Sequence, residues 1–354
     1  MPPAADTSST FQVTIEPSQR TYTVSADETL LAGGIRAGIN MAYGCKDGAC
    51  GSCKCKKLSG SVVHSAHQAK ALSEDEEAQG LVLTCCATPT SDVVLESRQV
   101  TAQGAYPIKK MPTRINLMEK KSADVIRLLL QLPASEPFPY HAGQYIEFLL
   151  PNGVRRSYSM ANAPQTLANM LELHIRHMPG GLFTDQVFGT LKERDILRIE
   201  GPYGSFYLRE DSTKPMIFLA SGTGFAPIKA LIEHMQRTHI TRPVTFYWGG
   251  RRPADLYMMD WVNAKLAEMP HLRFVPVVSD ALPEDDWHGR TGFVHQAVLQ
   301  DVPDLSGYQV YACGAPVVVA SAQRDYLLAG LPADEFYADA FTSEADKALT
   351  ATLI

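Results

Sequence analysis

The sequence predicts a multidomain protein with an α+β domain at its amino end, an antiparallel β-barrel in the middle and an α/β domain with a parallel sheet at its carboxyl end. The chain has 354 residues, which is more than one ordinary hydrophobic core accommodates and suggests two or three domains. Short β-like segments fill the middle of the chain. From Lys214 onward, apolar runs alternate with helix signals, which is the pattern of buried parallel strands.

The first domain is expected at residues 1–103. Alternating residues predict strands over 11–15 and 21–24, and residues 28–37 predict a short helix. A glycine- and cysteine-rich loop follows at 44–53. Residues 103–111 lack periodicity and contain Gly104 and Pro107, so a linker is predicted at 104–111.

The barrel is expected at residues 112–210 and the α/β domain at residues 211–354. The β-like segments that predict the barrel are 125–132, 145–150, 155–159, 171–175 and 196–199. The apolar runs that predict the parallel strands are 216–220, 244–248, 274–278 and 310–313. Each of these runs is followed by loop and helix signals, as in βαβ units.

Composition and charge exclude several classes of protein. Hydrophobic residues make up 45% of the chain and charged residues 20%, which is typical of a folded globular protein. The formal net charge of -6 argues against binding to nucleic acid, which usually needs a basic face. The opening residues lack a secretory signal, and no apolar run approaches the roughly 20 residues that a membrane helix needs. We therefore expect a soluble, cytoplasmic protein without membrane insertion.

The cysteines indicate a metal centre. Six of the seven cysteines lie between Cys45 and Cys86, and in a reducing compartment such clustering indicates a metal site rather than disulfides. The spacing Cys45-x4-Cys50-x2-Cys53, followed by Cys85, is that of plant-type [2Fe–2S] proteins. The alternative is a structural zinc site, although zinc ribbons prefer two paired C-x2-C knuckles.

The glycines of the cysteine-rich loop fit the same interpretation. Gly44, Gly48 and Gly51 have no Cβ, so they allow the backbone to wrap closely around inorganic sulfur and to aim N–H groups at it.

A second motif has the chemistry of a flavin site. Residues 156–159 fit R-x-Y-S, in which an arginine can pair with the FAD pyrophosphate, a tyrosine can cover one flavin face and a small hydroxyl can lie beside N5. About twenty residues on, Gly180 and Gly181 are expected to open a helix whose free N–H groups suit a phosphate. The R-x-Y-S tetrad alone is weak evidence for a flavin site, but its combination with the glycine pair and with Gly201-Pro202-Tyr203-Gly204 at a strand end is strong evidence. The alternative for the glycine pair is an ordinary β–α turn.

A third motif has the features of a nicotinamide nucleotide site. Ser221-Gly222-Thr223-Gly224 links a strand to a helix, and Pro227 is predicted at the first helical position. Ala226-Pro227 replaces the third glycine of G-x-G-x-x-G, yet a tight loop still presents a helix amino end to a pyrophosphate. Cys313 is expected at the carboxyl edge of the sheet, where ligands bind. The alternative for Cys313 is a small buried apolar side chain.

Arginines and an aspartate follow the second predicted parallel strand, where the adenosine ribose is expected. Asp255 could accept a hydrogen bond from a ribose 2′-hydroxyl and repel a 2′-phosphate, which favours NADH. Arg251 and Arg252 would favour NADPH, because a guanidinium pairs well with phosphate. The sequence predicts NADH, with NADPH as the alternative.

These three motif sets, in this order, resemble the ferredoxin–NADP reductase superfamily with a fused plant-type ferredoxin, over residues 11–341. The resemblance is closest to reductase components of aromatic-ring-hydroxylating oxygenases and to CDP-6-deoxy-glucoseen reductases. It implies a β-grasp ferredoxin domain, an FAD barrel and a nicotinamide-nucleotide domain. It also implies hydride transfer from NADH to FAD, then single electrons through a [2Fe–2S] cluster to a redox protein, expected to be an oxygenase component. The alternatives are a partner of a deoxysugar dehydrase and a stand-alone electron carrier.

The resemblance also implies roles for individual residues. The expected cluster ligands are Cys45, Cys50, Cys53 and Cys85, because the family pattern ends on an apolar–x–Cys–x–Ala string, whereas Cys55 and Cys86 pack nearby. The expected FAD contacts are Arg156 with the pyrophosphate, Tyr158 with one flavin face, Ser159 with N5, and Gly180, Gly181 and Thr184 with the phosphates. The expected nicotinamide nucleotide contacts are Gly222, Thr223, Gly224, Arg251 and Asp255. Cys313 is expected beside the reactive ring carbon and Phe341 over the other flavin face.

Overall fold

The computed structural model describes residues 9–100 and 105–342. Backbone contacts divide the chain into two compact units, with the boundary between Tyr106 and Pro107. This boundary falls inside the segment predicted as a linker, of which Gly104 lies outside the described residues. The next strand begins at Lys109, so the last part of the predicted linker is strand.

The first unit combines short strands with two helices in its described part. Its strands are β1 (Thr10–Glu16), β2 (Arg20–Ser25), β3 (Lys54–Ser59), β4 (Val62–His64), β5 (Leu81–Leu83), β6 (Ala87–Pro89) and β7 (Val93–Glu96), and its helices are α1 (Leu30–Arg36) and α2 (Glu74–Ala78). The main sheet has the order β2-β1-β7-β3-β5, and β4 pairs with β6. The cysteine-rich loop therefore lies between α1 and β3.

Local sequence explains these elements. Val13 and Ile15 alternate with exposed or half-buried residues along β1 and are fully buried, which is the two-residue period of a strand with one face on the core. Helix α1 begins two residues later than the sequence predicted, because the Thr29 hydroxyl accepts the Ala32 N–H at 3.2 Å and caps the helix. Cys85 lies just beyond β5, opposite the loop.

The barrel of the second unit is antiparallel, as predicted. Its elements are β8 (Lys109–Lys120), β9 (Val125–Gln131), β10 (Tyr145–Leu149), β11 (Arg155–Ser159), β12 (Met170–Arg176), α3 (Thr184–Gly189) and β13 (Ile196–Tyr203). The strand order is β11-β10-β13-β8-β9-β12, and a bridge between Met160 and Leu173 joins its two ends. Strand β8 was not predicted. Its buried residues Met111, Thr113 and Ile115 alternate with exposed ones, and its neighbours β9 and β13 stabilise it through backbone pairing.

The α/β part of the second unit has a six-stranded sheet in which all neighbouring strands are parallel. Its elements are β14 (Met216–Ser221), α4 (Phe225–Arg237), β15 (Val244–Gly250), α5 (Met259–Glu268), β16 (Leu272–Val278), β17 (Arg290–Thr291), α6 (Val294–Asp301), β18 (Gln309–Gly314), α7 (Pro316–Leu328) and β19 (Phe336–Ala340). The order is β17-β16-β15-β14-β18-β19. All four predicted runs are strands.

One helix start in this part differs from the prediction. A 3₁₀ turn at Gly222–Gly224 precedes α4, which begins at Phe225. Pro227 is therefore the third helical residue rather than the first, still within the first turn, where the missing N–H costs no helical hydrogen bond. Within the described ranges, no helix has the length and apolar character needed to cross a membrane.

Candidate functional site

The four predicted metal ligands lie as two pairs. The backbone N–H of Cys45 points at the Cys50 sulfur (3.4 Å) and the backbone N–H of Cys50 at the Cys45 sulfur (3.3 Å). The sulfurs of Cys53 and Cys85 are 3.2 Å apart. Two sulfurs for each of two irons is the arrangement that a [2Fe–2S] cluster needs.

The loop between α1 and β3 needs glycine at two of the predicted positions. Gly48 and Gly51 have φ angles of +75° and +77°, which side chains rarely adopt. A Cβ on Gly48 would lie 2.7 Å from the Cys86 sulfur and 2.7 Å from the Cβ of His67. Glycine at position 48 therefore allows the loop to pack closely against Cys86 and His67, next to the predicted ligand Cys85.

The hydrogen bond between the Cys45 and Cys50 side chains favours a thiolate at Cys50, and the same bond raises the pKa of Cys45. Hydrogen bonds to the Cys50 sulfur, first from the Cys45 thiol and then from the side chain and backbone N–H of Ser52, lower the pKa of Cys50 to about 6 against the opposing effect of burial. A thiolate is the form that binds iron. Burial raises the pKa of Cys55 to about 12.

The side chain of Cys86 lies beside that of the predicted ligand Cys85. Its sulfur is 3.6 Å from the sulfur of Cys85. Both thiols are buried. The assignment of Cys85 rather than Cys86 as the fourth ligand stays a prediction.

In the second unit, the predicted flavin residues lie along β11. Tyr158 packs against the rings of Phe148 and Phe183, at centroid distances of 5.7 and 5.5 Å. Arg156 is two positions away and so lies on the same face of the strand as Tyr158. Its guanidinium donates to the backbone oxygen of Arg155 at 2.7 Å.

Ser159, Asp339 and Cys313 come together from distant parts of the chain. The Ser159 hydroxyl donates to the Asp339 carboxylate at 3.1 Å, and both residues are buried. Asp339 in β19 is paired with Cys313 in β18, and the Phe341 N–H donates to the Gly314 oxygen at 2.8 Å. Asp339 was not predicted to have a role, although it lies two residues before Phe341.

Two hydrogen bonds between Thr184 and Met178 stabilise the turn that was predicted to bind the FAD phosphates. The Thr184 hydroxyl accepts the Met178 N–H at 3.1 Å and donates to the Met178 oxygen at 2.9 Å. A Cβ on Gly181 would lie 2.5 Å from that hydroxyl. Helix α3 begins at Thr184, three residues after Gly181, so the glycine pair precedes the helix rather than opening it. The Gly180 N–H donates to Asp185 at 3.1 Å.

The predicted nucleotide turn is held from two sides. Gly222 has a φ angle of +53°, and its oxygen accepts the indole N–H of Trp248 at 3.0 Å. The Gly224 oxygen accepts the Cys313 thiol at 2.8 Å. Cys313 is fully buried, and burial reinforced by the Asp339 charge raises the pKa of Cys313 well above its usual range. Cys313 is therefore a neutral thiol against the turn.

Arg176, at the end of β12, is a candidate site residue that the sequence did not predict. A Cβ on Gly222 would lie 2.9 Å from its guanidinium, so a cation adjoins the nucleotide turn. Arg176 pairs with Asp124 at 3.2 Å and with Asp255 at 3.1 Å. No local motif marks Arg176, because only the packing of the barrel on the α/β part brings it to the turn.

Asp255 binds other parts of the protein in addition to its predicted role as a ribose ligand. Its second oxygen accepts the N–H groups of Arg251 (2.8 Å) and Arg252 (3.0 Å). The carboxylate thus caps the loop after β15 and holds Arg176. Arg252 pairs with Asp285 at 2.9 Å, which neutralises one of the two arginines that would favour a 2′-phosphate. The Asp280 N–H, just beyond β16, donates to the Arg251 oxygen at 2.9 Å.

Comparisons with known proteins agree with this architecture. Three family models match in the predicted order: the 2Fe-2S iron-sulfur cluster binding domain at 13–90, the oxidoreductase FAD-binding domain at 112–207 and the oxidoreductase NAD-binding domain at 218–324. The chain is 40% identical over 331 residues to the CDP-6-deoxy-L-threo-D-glycero-4-hexulose-3-dehydrase reductase of Yersinia pseudotuberculosis, covering 94% of this chain and 98% of that protein. The chain belongs to the ferredoxin–NADP reductase superfamily.

Other members include partners of oxygenases. Reductase component 1 of the terephthalate 1,2-dioxygenase of a Comamonas species is 31% identical, covering 94% of this chain and 97% of that protein. The crystal structure of the Amycolatopsis cytochrome P450 reductase GcoB superposes with a TM-score of 0.75 at 34% identity, covering 94% and 99% of the two chains. The predicted fold class, the three cofactors and the class of iron–sulfur flavoprotein oxidoreductase are thereby confirmed.

Proposed function

We propose that this chain takes a hydride from NADH onto FAD and delivers the two electrons singly, through its [2Fe–2S] cluster, to a partner redox protein. The FAD, when bound, supplies the chemistry that converts a two-electron donor into one-electron steps. The residues of the chain bind and orient the cofactors and exclude water from them.

The contact between Ser159 and Asp339 is the observation that carries this proposal. It joins the predicted flavin strand β11 to the carboxyl edge of the parallel sheet, where ligands bind in open α/β folds. Asp339 fixes the hydroxyl of Ser159, which would then point toward the flavin N5. Cys313 packs on the nucleotide turn beside the same pair, so donor and acceptor sites adjoin.

The remaining assignments follow from this arrangement. Tyr158 and Phe341 would cover the two flavin faces, and Arg156 would pair with the FAD pyrophosphate. Arg176 beside Gly222 suits the nucleotide pyrophosphate. We assign the cluster to a domain at residues 1–103, FAD to a domain at 112–210 and the nucleotide to a domain at 211–354, with a linker at 104–111 between the first two. The residues proposed to bind the phosphates and the cluster are those predicted from the sequence. The protein is assigned to the cytoplasm.

NADH is the proposed donor rather than NADPH. Asp285 neutralises Arg252, and Asp280 places a carboxylate at the end of β16, on the edge where the adenosine half of the nucleotide belongs. Acidic groups there repel a 2′-phosphate.

The proposed acceptor is the oxygenase component of an aromatic-ring-hydroxylating system, as the name of the Comamonas relative says of that protein. The second candidate is a dehydrase that acts on a CDP-linked deoxyhexulose, which the higher identity of the Yersinia relative favours. Reconstitution with each acceptor decides between them. Product formation with the dehydrase and none with any oxygenase would establish the second candidate.

The reductase chemistry itself is tested with purified holoprotein. We expect NADH to reduce ferricyanide and cytochrome c, and we expect iron and acid-labile sulfide in equal amounts. Zinc without sulfide, or no NADH-dependent reduction of either acceptor, would refute the proposal.

A further inference from the structure

Helix α4, which follows the nucleotide turn, carries a buried lysine. Lys229 is 2% exposed. Its ammonium pairs with Glu233 at 2.5 Å on the same helix and with Glu172 of the barrel at 3.3 Å. It also donates to the Ala161 oxygen at 3.1 Å and lies 5.1 Å from the centre of the Trp261 ring. Lys229 therefore bridges α4 to the barrel.

The barrel provides a matching set of buried partners. Glu172 is 1% exposed and also pairs with Arg127 at 3.0 Å and with His174 at 2.9 Å. Glu233 of α4 accepts the Ala163 N–H at 2.9 Å. Buried ion pairs of this kind add little stability compared with apolar side chains of the same volume. Here the contacts of Lys229 with Glu172 and with the Ala161 oxygen join α4 directly to the barrel.

This network connects the two halves of the proposed hydride-transfer site. Ala161 lies two residues beyond Ser159, on the segment that leaves the flavin strand. Helix α4 begins at Phe225, directly after the nucleotide turn. Phe225 stacks on Trp248 with a centroid distance of 4.2 Å, and Trp248 binds the turn at Gly222.

We infer that Lys229 is a positioning residue for hydride transfer, which sets the distance between the nucleotide turn and the flavin strand. The inference rests on the proposed function. Lys229 does not touch the reacting atoms. It acts through Ala161 and Glu172 on one side and through α4 on the other. A displacement of about 1 Å between the reacting groups can cost about a hundredfold in rate.

The test is Lys229→Met, which keeps an unbranched side chain of similar length and removes the charge. We expect the rate of flavin reduction by saturating NADH, followed by anaerobic stopped flow, to fall roughly tenfold to a hundredfold. FAD content and the visible cluster bands should be unchanged. Two readouts separate positioning from stability: the long-wavelength charge-transfer band of the nicotinamide–flavin complex should weaken, and the deuterium isotope effect on the transferred hydride should rise.

Lys265→Met is the matched control. Lys265 lies 5.7 Å from the centre of the same Trp261 ring and pairs with Glu268 at 2.6 Å. Its other hydrogen-bond partner, Gln236, belongs to α4. These contacts stay within the α/β part. We expect wild-type hydride transfer in this variant.

Wild-type hydride transfer and charge-transfer absorbance in Lys229→Met would overturn the inference, as would an equal loss in Lys265→Met. If Lys229→Met does not fold, Glu233→Gln keeps an oxygen for the Ala163 N–H while weakening the hold on Lys229. The rate of flavin reduction by NADH should fall less in Glu233→Gln than is expected for Lys229→Met, and a wild-type rate in Glu233→Gln would overturn the inference. Failure of the proposed function is distinguishable, because the wild-type protein itself would then not be reduced by NADH.

Discussion

The close approach of Gly224 to the strand that carries Cys313 gives a quantitative prediction. A Cβ on Gly224 would lie 2.4 Å from the backbone oxygen of Cys313, whereas ordinary contact begins at 3.4 Å. Gly224→Ala therefore has to separate turn and strand by about 1 Å, because the obstacle is backbone. The φ angle of Gly224 is -56°, which alanine adopts without strain. The variant thus tests the close approach alone.

A shift of this size should lower kcat/KM for NADH about a hundredfold, or about 2.7 kcal/mol of transition-state stabilisation. The assay is steady-state reduction of ferricyanide, with the FAD and cluster content of each preparation measured from its absorbance. Gly307→Ala is the control, because a Cβ there meets no atom within 4 Å, and it should behave as wild type. A wild-type kcat/KM in Gly224→Ala would refute the assignment of this turn to the nucleotide.

Three further predictions concern the cluster, the nucleotide and modularity. Cys85→Ser should abolish the visible bands of the cluster while Cys86→Ser largely spares them, and the reverse result would move the fourth ligand to Cys86. The value of kcat/KM should be higher for NADH than for NADPH, and Asp280→Ala should reduce the ratio of the two values. A higher kcat/KM for NADPH in the wild-type protein would mean that attraction of the 2′-phosphate by Arg251 outweighs repulsion by the acidic groups. A chain beginning at Tyr106 should bind FAD and reduce ferricyanide with NADH but lose most cytochrome c reduction, whereas undiminished cytochrome c reduction would contradict the proposed electron order.

The sequence predicted those elements whose signal is local. The parallel strands β14, β15, β16 and β18 are buried apolar runs, and each is strand in the structure. Strand β8 was not predicted because Pro112 and Arg114 separate its buried residues Met111, Thr113 and Ile115, and only pairing with β9 and β13 makes the alternation evident. The start of α4 was misplaced because a 3₁₀ turn intervenes.

The residues of the candidate site also divide into those with a local sequence signal and those that only tertiary packing brings to the site. Cys45, Cys50 and Cys53 belong to one contiguous motif, as does the glycine turn, and the fold places the sulfur of the distant Cys85 3.2 Å from that of Cys53. Arg176 and Asp339 were not assigned roles, because each reaches the site only through tertiary packing. Asp255 was predicted as a ribose ligand on position alone. The structure shows that its carboxylate also caps a loop and holds Arg176, which no local pattern could indicate.

The order of electron transfer is the central claim, and one measurement tests it most directly. Full-length holoprotein is mixed anaerobically with NADH, and samples are frozen at successive times for absorbance and electron paramagnetic resonance spectra. We predict that flavin absorbance falls first and that the paramagnetic signal of the reduced [2Fe–2S] cluster rises afterwards, at the expense of reduced flavin. Cluster reduction that precedes any loss of flavin absorbance would contradict the account.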